Sequence, residues 1–267
     1  MIRNLRRHFR LFVLYFGQYA KARLEYRADF FSSVLASFLG TAASFSFLLI
    51  VFSRAPAVKG WTFEEMVFLY GFSLVPLGIF NVFSWNLYQF ADRYLIEGRF
   101  DRVLLRPVSS IFQVLFESFR LESVQETATG LFAIAWASRR IGLAFEPLDF
   151  VLFVIWAICG AVIYLAIFLG LTATSFWIED RIGISPPVFN LMQFGRYPLT
   201  IYDAWVRFSL SFVIPFAFAS FYPTARFLRR PEFVREFWAV PLVAAVTATL
   251  ALSLWKSGVA RYHSTGS

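Results

Sequence analysis

Acidic and basic side chains gather beside one apolar stretch of the chain, where they could form ion pairs or transfer protons. Glu117, Arg120, Glu122 and Glu126 directly precede the charge-free run 127–138. On one continuous helix Glu117 and Arg120 would share a face and pair, whereas Glu122 and Glu126 would repel each other if both were charged. Ionisable groups at membrane depth are costly and often functional. Two interpretations stay open: the residues line a polar pathway or meet another subunit, or they are solvated at the edge of the apolar region.

A second group of candidate residues lies in the segment 97–107, which reads EGRFDRVLLRP. Gly98 should end the preceding helix, and Asp101 should begin a short helical turn that presents Val103, Leu104 and Leu105. Three arginines frame this apolar tip: Arg99, Arg102 and Arg106. Such a tip suits a groove on a soluble partner protein. The alternative is an ordinary interfacial loop that keeps its arginines on one side of a membrane.

The sequence offers no firm catalytic or metal site. It has no Walker A loop for ATP and no G-x-S-x-G nucleophile motif. The two histidines, His8 and His263, lie near opposite ends of the chain, and Cys159 is the single cysteine. We therefore expect no enzyme activity, no metal site and no cofactor in this chain.

The composition indicates a protein embedded in a membrane. Hydrophobic residues make up 58% of the 267 positions, the mean hydropathy is +0.62, and 35 residues are Phe. A soluble domain of this size could not hide so much apolar surface. The net charge of +8 lies at the ends of the apolar runs, so membrane topology and anionic lipid headgroups explain it better than nucleic-acid binding.

Windows free of charged residues predict the membrane spans, because a spanning helix needs about 20 mostly apolar residues. Four windows are clear: 30–53, 66–91, 150–178 and 237–255. A further span over 112–138 would contain the acidic group described above. The region 182–225 is interrupted by charges and prolines, and it suits one full span plus a re-entrant or interfacial helical pair. Hydropathy alone would choose 208–222 as that span.

The distribution of arginine and lysine predicts the topology. Six spans place both termini on one side, and the basic residues before the first span and after the second assign that side to the cytoplasm. Arg226, Arg229, Arg230 and Arg235 precede the last span and would lie outside, against this rule. Arginines alternate with apolar residues in the N-terminal arm, which reads as a helix on the cytoplasmic face. The arm is either a gating elbow or a basic anchor that only fixes topology.

Four stretches of the sequence resemble the ABC-2 type permeases, in particular a six-span branch formerly labelled a domain of unknown function. The first is GRFDRVLLRP at 98–107, similar to a G-x-x-D-x-x-L-x-R-P pattern, and the second is SFW at 175–177. The third is FGRYPLTIY at 194–202 with VIPFAF at 213–218 and YP at 222–223. The fourth is the tail from WK at 255–256 to YHS at 262–264, where His263 stands in place of an acidic residue.

The resemblance implies an all-α polytopic membrane protein that forms a single transmembrane domain over 1–267. Its parts would be an amphipathic elbow at 1–27, spans near 28–53, 63–91, 112–138, 148–178, 182–197 and 236–256, a coupling loop at 92–108 and outer re-entrant helices at 198–225. It also implies contact with an ATPase through the coupling loop, and there we expect six residues to act: Arg99, Phe100, Asp101, Leu104, Leu105 and Arg106. Glu117, Arg120, Glu122 and Glu126 are then candidates for the pathway or the subunit interface.

The same resemblance implies the partners and the location. A dimer of ABC ATPase subunits would bind ATP and Mg²⁺, and a second permease, identical or homologous, would complete an exporter in a bacterial inner membrane, with both termini cytoplasmic. The Phe-rich spans suggest a lipid-like or amphipathic cargo, or they simply pack against membrane lipids. The competing interpretation is an ATP-independent carrier or membrane-embedded enzyme that uses Glu122 and Glu126 of the third span.

Overall fold

The computed structural model describes residues 2–178 and 185–263, and these residues fold almost entirely into helices. A two-stranded hairpin, β1 (Ala57–Val58) and β2 (Trp61–Thr62), separates the second helix from the third. The α-helices are α1 (Ile2–Glu25), α2 (Arg27–Arg54), α3 (Phe63–Tyr88), α4 (Arg99–Leu104), α5 (Ser110–Phe116), α6 (Val124–Ile141), α7 (Pro147–Thr174), α8 (Ser185–Met192), α9 (Ala204–Phe208), α10 (Phe216–Ala219), α11 (Phe221–Phe227) and α12 (Val234–Arg261).

Four helical stretches are long and apolar enough to cross a membrane: Arg27–Arg54, Phe63–Ile96, Pro147–Thr174 and Pro231–Arg261. They coincide with the four charge-free windows of the sequence. The second begins at a capping box, in which the Glu65 backbone N–H donates to the Thr62 side chain and the Thr62 N–H donates to Glu65. It continues past α3 as a π-helical turn, Ala91–Ile96. The chain is therefore an all-α, multi-pass membrane protein.

The stretch Phe63–Ile96 is the centre of the bundle and the most buried of the four. It runs parallel to α7, as the ring contacts Phe72–Phe153 and Phe80–Phe168 show along its length. On another side it packs against α6 at very short range. A Cβ atom on Gly130 would lie only 2.5 Å from the Gly71 carbonyl oxygen. Small residues allow this close approach of two helix backbones, as is common in membranes.

The predicted third span, 112–138, is not one helix. The helix α5 ends at Phe116, a 3-10 turn covers Leu121–Ser123, and only then does α6 begin. The break is held in place because the Arg120 backbone N–H donates to the Val82 carbonyl of α3 at 3.0 Å and the Phe119 ring is fully buried. The expectation that Glu117 and Arg120 share one helix face is therefore wrong, since no single helix contains both residues.

The helix α1 packs beside this break. Its Phe12 and Phe16 rings contact the Phe119 ring with centroids 6.0 and 5.4 Å apart. A short interruption at Tyr26 separates α1 from α2. Residues 2–25 of the segment predicted as an elbow form a separate helix, and Phe12 and Phe16 of this helix rest on the interrupted third span.

After α7, an irregular segment leads the chain from one end of the bundle to the other. Part of the span predicted at 182–197 lies outside the described residues, and the rest forms α8 and a 3-10 turn, Gln193–Arg196. Phe189 of α8 contacts Tyr88 near one end of α3, whereas Thr200 accepts a hydrogen bond from the Trp61 indole at the other end. The chain therefore passes from one end of α3 to the other within 185–200, before the apolar stretch 208–222.

The segment 198–225 forms short helices that enter the bundle and leave again. The Phe216 ring of α10 lies 5.6 Å from Tyr164, and a Cβ atom on Gly160 would approach the Ala219 carbonyl oxygen to 2.6 Å. Gly160 lies about 20 Å along α7 from its beginning at Pro147. Phe227 then contacts Phe72, nearer the beginning of α3. The chain therefore enters the bundle with α10 and returns towards the beginning of α3 with α11.

Candidate functional site

The loop between α3 and α5 is shaped by its backbone and by one buried glutamine. Gly98 has φ +69°, a left-handed conformation that favours glycine, and it reverses the chain before α4. The Gln113 side-chain amide donates to the Val103 and Val108 carbonyl oxygens, each at 2.9 Å. These bonds hold the end of α4 against α5. The sequence pattern did not single out Gln113, because a single amide on an apolar helix gives no signal by itself.

Phe100 fixes the loop to the ends of three long helical stretches. Its side chain is fully buried, and it belongs to a set of five rings in mutual contact that we call the aromatic anchor: Phe90, Phe100, Phe176, Trp255 and Tyr262. Phe90 follows α3 and Phe176 follows α7. Trp255 lies near the end of α12, and Tyr262 directly follows that helix. A displacement of the loop must therefore disturb the ends of α3, α7 and α12 together.

The opposite side of α4 is exposed. Leu105 is 84% exposed and Leu104 44%, while Val103 is buried and faces the bundle. The apolar tip thus consists of Leu104 and Leu105, and the expectation that Val103 belongs to it is wrong, because Gln113 and the α5 helix cover that position. Arg102 and Arg106 are exposed beside the tip. Arg99 forms an ion pair with Glu97 at 2.8 Å.

Asp101 lies on the loop near the end of the chain. Burial and the charge of the Asp101 carboxylate raise the pKa of Tyr262 to about 12. This places one of the predicted loop residues beside the tail motif of the sequence.

The acidic group of the third span is divided among separate partners. The Tyr94 hydroxyl donates to Glu117. Glu122 lies 3.5 Å from both Arg23 and Arg120, so α1 supplies one of its two cations. The repulsion expected between Glu122 and Glu126 is thereby offset by two nearby arginines.

Glu126 and Arg120 have their own contacts on α3. The Asn81 amide donates to Glu126 at 2.7 Å, and the Arg120 guanidinium lies 5.2 Å from the Trp85 ring centroid. Asn81, Trp85 and Tyr88 follow a helical spacing and therefore share one face of α3. The sequence did not reveal these partners, because the pairing depends on the break before α6.

Another arginine lies at the depth of the bundle. Arg196, in the 3-10 turn after α8, places its guanidinium 5.9 Å from the Tyr70 ring centroid. Among the described residues no carboxylate forms an ion pair with it. The charges of Arg196 and Arg120 both act on Glu126. In the sequence this residue is part of the motif FGRYPLTIY, and the motif alone predicts no role for it.

Arg230 is one of the four arginines that lie outside in the predicted topology, against the distribution expected for basic residues. It has structural partners at the end of the bundle opposite the loop. Arg230 forms an ion pair with Glu65 at 2.9 Å, donates to the Gly60 carbonyl oxygen and lies 4.6 Å from the Trp61 ring centroid. These contacts connect the segment before α12 to the beginning of α3. These contacts explain the position of Arg230 independently of the membrane topology.

A groove of about 620 Å³ lies between α2, α3 and α6, and its walls are almost entirely apolar, including Phe38, Tyr70 and Trp136. The described residues contain no cluster of three or more His, Cys, Asp or Glu side chains that could hold a metal ion.

Comparison with known proteins identifies the family. The model of the ABC-2 family transporter proteins matches residues 38–266, which include the loop, the charged residues of the third span and the short helices of 198–225. Comparisons with curated proteins and with solved structures find no match. Because the family model covers most of the sequence, the chain belongs to the ABC-2 family of transporter proteins and is an ABC-2 type permease.

Proposed function

We propose that this permease is the membrane-spanning subunit of an exporter driven by ATP, which a separate ATPase chain hydrolyses. The observation that carries the proposal is the two-sided α4 helix. Phe100 is buried in the aromatic anchor, whereas Leu104 and Leu105 are exposed. Exposed apolar side chains on a loop beyond the long helices have a reason to be there when a partner protein covers them.

In this mechanism the ATPase dimer closes when it binds ATP and Mg²⁺ and moves the tip of α4. Asp101, Arg99 and Arg106 surround that tip and orient the partner through charge. Phe100 transmits the displacement to the ends of α3, α7 and α12, and the Gln113 hydrogen bonds transmit it to α5. The chain itself binds no cofactor and no nucleic acid.

A second permease, identical or homologous, completes the transporter in the bacterial inner membrane. The aromatic anchor and both termini lie on the cytoplasmic side, and the hairpin β1–β2 lies outside. Glu117, Arg120, Glu122 and Glu126 lie near the inner end of the pathway or subunit interface. Membrane lipids surround the exposed face of α2, which is the least buried of the four long stretches.

We favour the exporter over a proton-coupled carrier because the acidic residues of the third span already have partners. Glu122 is already held by Arg23 and Arg120, so a cycle of proton uptake and release would have to break and re-form both contacts. Glu126 is held by Asn81. These contacts suit a structural or binding role.

The test is a pull-down of the tagged chain from its native membrane in mild detergent, followed by mass spectrometry. We expect a stoichiometric soluble protein with a Walker A motif, and the variant Leu105→Asp should lose it while remaining in the membrane. Arg235→Glu, an exposed charge change in the first turn of α12 at the other end of the bundle, should keep it. Recovery of the chain alone under several mild detergents would contradict the proposal.

A further inference from the structure

The apolar groove between α2, α3 and α6 has the length of one membrane leaflet. Its walls run along α2 from Phe38 to Leu49 and along α3 from Phe63 to Leu74. Each of these stretches rises about 16 Å, and half of the hydrocarbon core of a bilayer is about 15 Å thick. Phe63 is the first residue of α3, so the groove begins at the end of the bundle that carries the hairpin β1–β2. It therefore extends from the membrane surface to about the middle of the bilayer.

The groove is closed at its deep end and open to the side. At the deep end the Gln125 amide of α6 donates to the Ser37 hydroxyl of α2 at 3.0 Å, which joins the two helices. Further towards the hairpin, the walls are exposed on both helices: Phe38 and Leu49 of α2 are each 48% exposed, and Phe132 of α6 is 72% exposed. A molecule in the surrounding bilayer can therefore enter the groove sideways between α2 and α6.

The width of the groove indicates which kind of molecule fits. A volume of about 620 Å³ along a length of about 16 Å gives a cross-section of about 40 Å². An α-helix with its side chains is about 10–12 Å across, so its cross-section is about 80–110 Å². Hydrocarbon chains in contact lie only about 4 Å apart. The groove is therefore too narrow for a helix of a second permease, whereas acyl chains of a lipid fit it.

A cation lies at the mouth of the groove. Trp136 lines the groove near the end of α6, and its ring contacts Phe63 at the beginning of α3. The Arg140 guanidinium lies 5.6 Å from the Trp136 ring centroid, and in the described part of the chain no carboxylate forms an ion pair with it. Tryptophan is enriched at membrane surfaces, and a guanidinium can bind a phosphate through two hydrogen bonds. The mouth of the groove thus suits a phosphate at the level of the lipid headgroups.

We propose that this groove binds a phospholipid from the leaflet on the hairpin side, with an acyl chain between α2 and α6 and its phosphate against Arg140. The lipid fills the space beside α2, which is the least buried of the four long stretches. It thereby supplies packing that the chain itself does not give to this helix. The site goes beyond the transport function proposed above and does not depend on the ATPase.

Photo-crosslinking in nanodiscs tests the site. The full chain is reconstituted with a phosphatidylglycerol whose acyl chain carries a photoactivatable group near its methyl end, and the labelled residues are mapped by mass spectrometry. We expect the strongest labelling at the deep end of the groove, near Thr41 and Thr129. Ile158 is the internal reference for bulk lipid, because it is 53% exposed and lies about 16 Å along α7 from its beginning at Pro147, at a similar depth. Labelling in the groove should exceed labelling at Ile158.

Two matched pairs of variants separate binding from folding. Ala42 lines the groove, so Ala42→Phe places a ring in it and should remove most of the labelling there. The next residue, Ala43, is exposed and lies about 100° further around α2, so Ala43→Phe should leave the labelling unchanged. Arg140→Gln should lower it about fivefold, the effect expected of one arginine near a membrane surface. Arg139→Gln, an exposed neighbour, should lower it less.

Labelling at Ile158 should be the same in all four variants, which shows that each one is folded and inserted. Equal labelling of the groove and of Ile158 in the wild type would overturn the proposal, and so would equal losses in Ala42→Phe and Ala43→Phe. Weaker labelling of the groove than of Ile158 would show that a second permease covers it, which also overturns the proposal. Equal losses in Arg139→Gln and Arg140→Gln would overturn the position of the phosphate. The permease is labelled alone, so a failure of the ATPase to associate would count only against the proposed function.

Discussion

Phe100 in the loop and Tyr262 at the end of the last helix meet edge to face, with ring centroids 5.0 Å apart. This contact joins two motifs that lie far apart in the sequence, the G-x-x-D pattern and the aromatic tail. It also means that α4 cannot move without a change at the end of α12. The contact gives the tail a physical role in the proposed transmission of movement.

The first prediction concerns the aromatic anchor itself. Phe100→Ala removes a fully buried ring, and truncations of this kind cost about 3–5 kcal/mol. We expect a lower unfolding temperature in detergent and faster proteolysis at the end of α12. Leu105→Ala removes an exposed side chain and should leave the unfolding temperature unchanged. A Phe100→Ala protein as stable as the wild type would contradict the anchoring role.

A glycine in α12 provides a finer test of the same packing. A Cβ atom on Gly258 would lie 2.3 Å from Cδ2 of Phe176, whereas one on Gly170 would meet its nearest neighbour at 3.9 Å. Gly258→Ala should therefore displace the Phe176 ring and destabilise the chain, and Gly170→Ala should be neutral. Thermal unfolding of the two variants side by side checks this. Equal unfolding temperatures of the two variants would show that the close contact between Gly258 and Phe176 does not restrict the packing.

The ion pair at the other end of the bundle should stabilise the fold. Arg230→Gln loses the contacts with Glu65 and the Trp61 ring. Both partners are only partly buried, so we expect a loss of about 1–2 kcal/mol after allowance for solvent screening. Arg235→Gln, at an exposed position, is the matched control. Chemical unfolding curves for both variants measure the difference, and equal midpoints would exclude a stabilising role for Arg230.

The orientation in the membrane can be measured with single cysteines. Cys159→Ser removes the chain's one cysteine. On this background Lys59→Cys lies in the hairpin and Ser257→Cys lies near the aromatic anchor, both exposed. We expect a membrane-impermeant maleimide added outside to label Lys59→Cys only, and both after the membrane is opened. Labelling of Ser257→Cys in intact cells would reverse the assigned topology.

Much of the architecture follows from charge-free windows. The four long apolar stretches were predictable because lipid excludes charged groups over about 20 residues. The capping box at Thr62 likewise depends only on residues that are close together in the sequence.

The contacts inside the bundle could not be predicted from the sequence in the same way. The break before α6 is set by a hydrogen bond from Arg120 to Val82, and the partner of Glu126 is Asn81, so both depend on how α3 lies against the third span. Helical spacing instead suggested pairing of Glu117 with Arg120. Packing between distant parts of the chain prevailed over that local rule. The burial of Val103 and Phe100 on α4 also depends on such packing, so the sequence did not predict it.

The central claim is that the exposed side of α4 couples this permease to an ATPase. The most direct measurement is ATP hydrolysis by the purified ATPase partner in nanodiscs, with wild-type permease, Asp101→Arg, Arg106→Glu and the control Arg235→Glu. We predict that the wild type and the control stimulate hydrolysis, and that both loop variants, though folded and inserted, do not. Undiminished stimulation by both loop variants would contradict the claim.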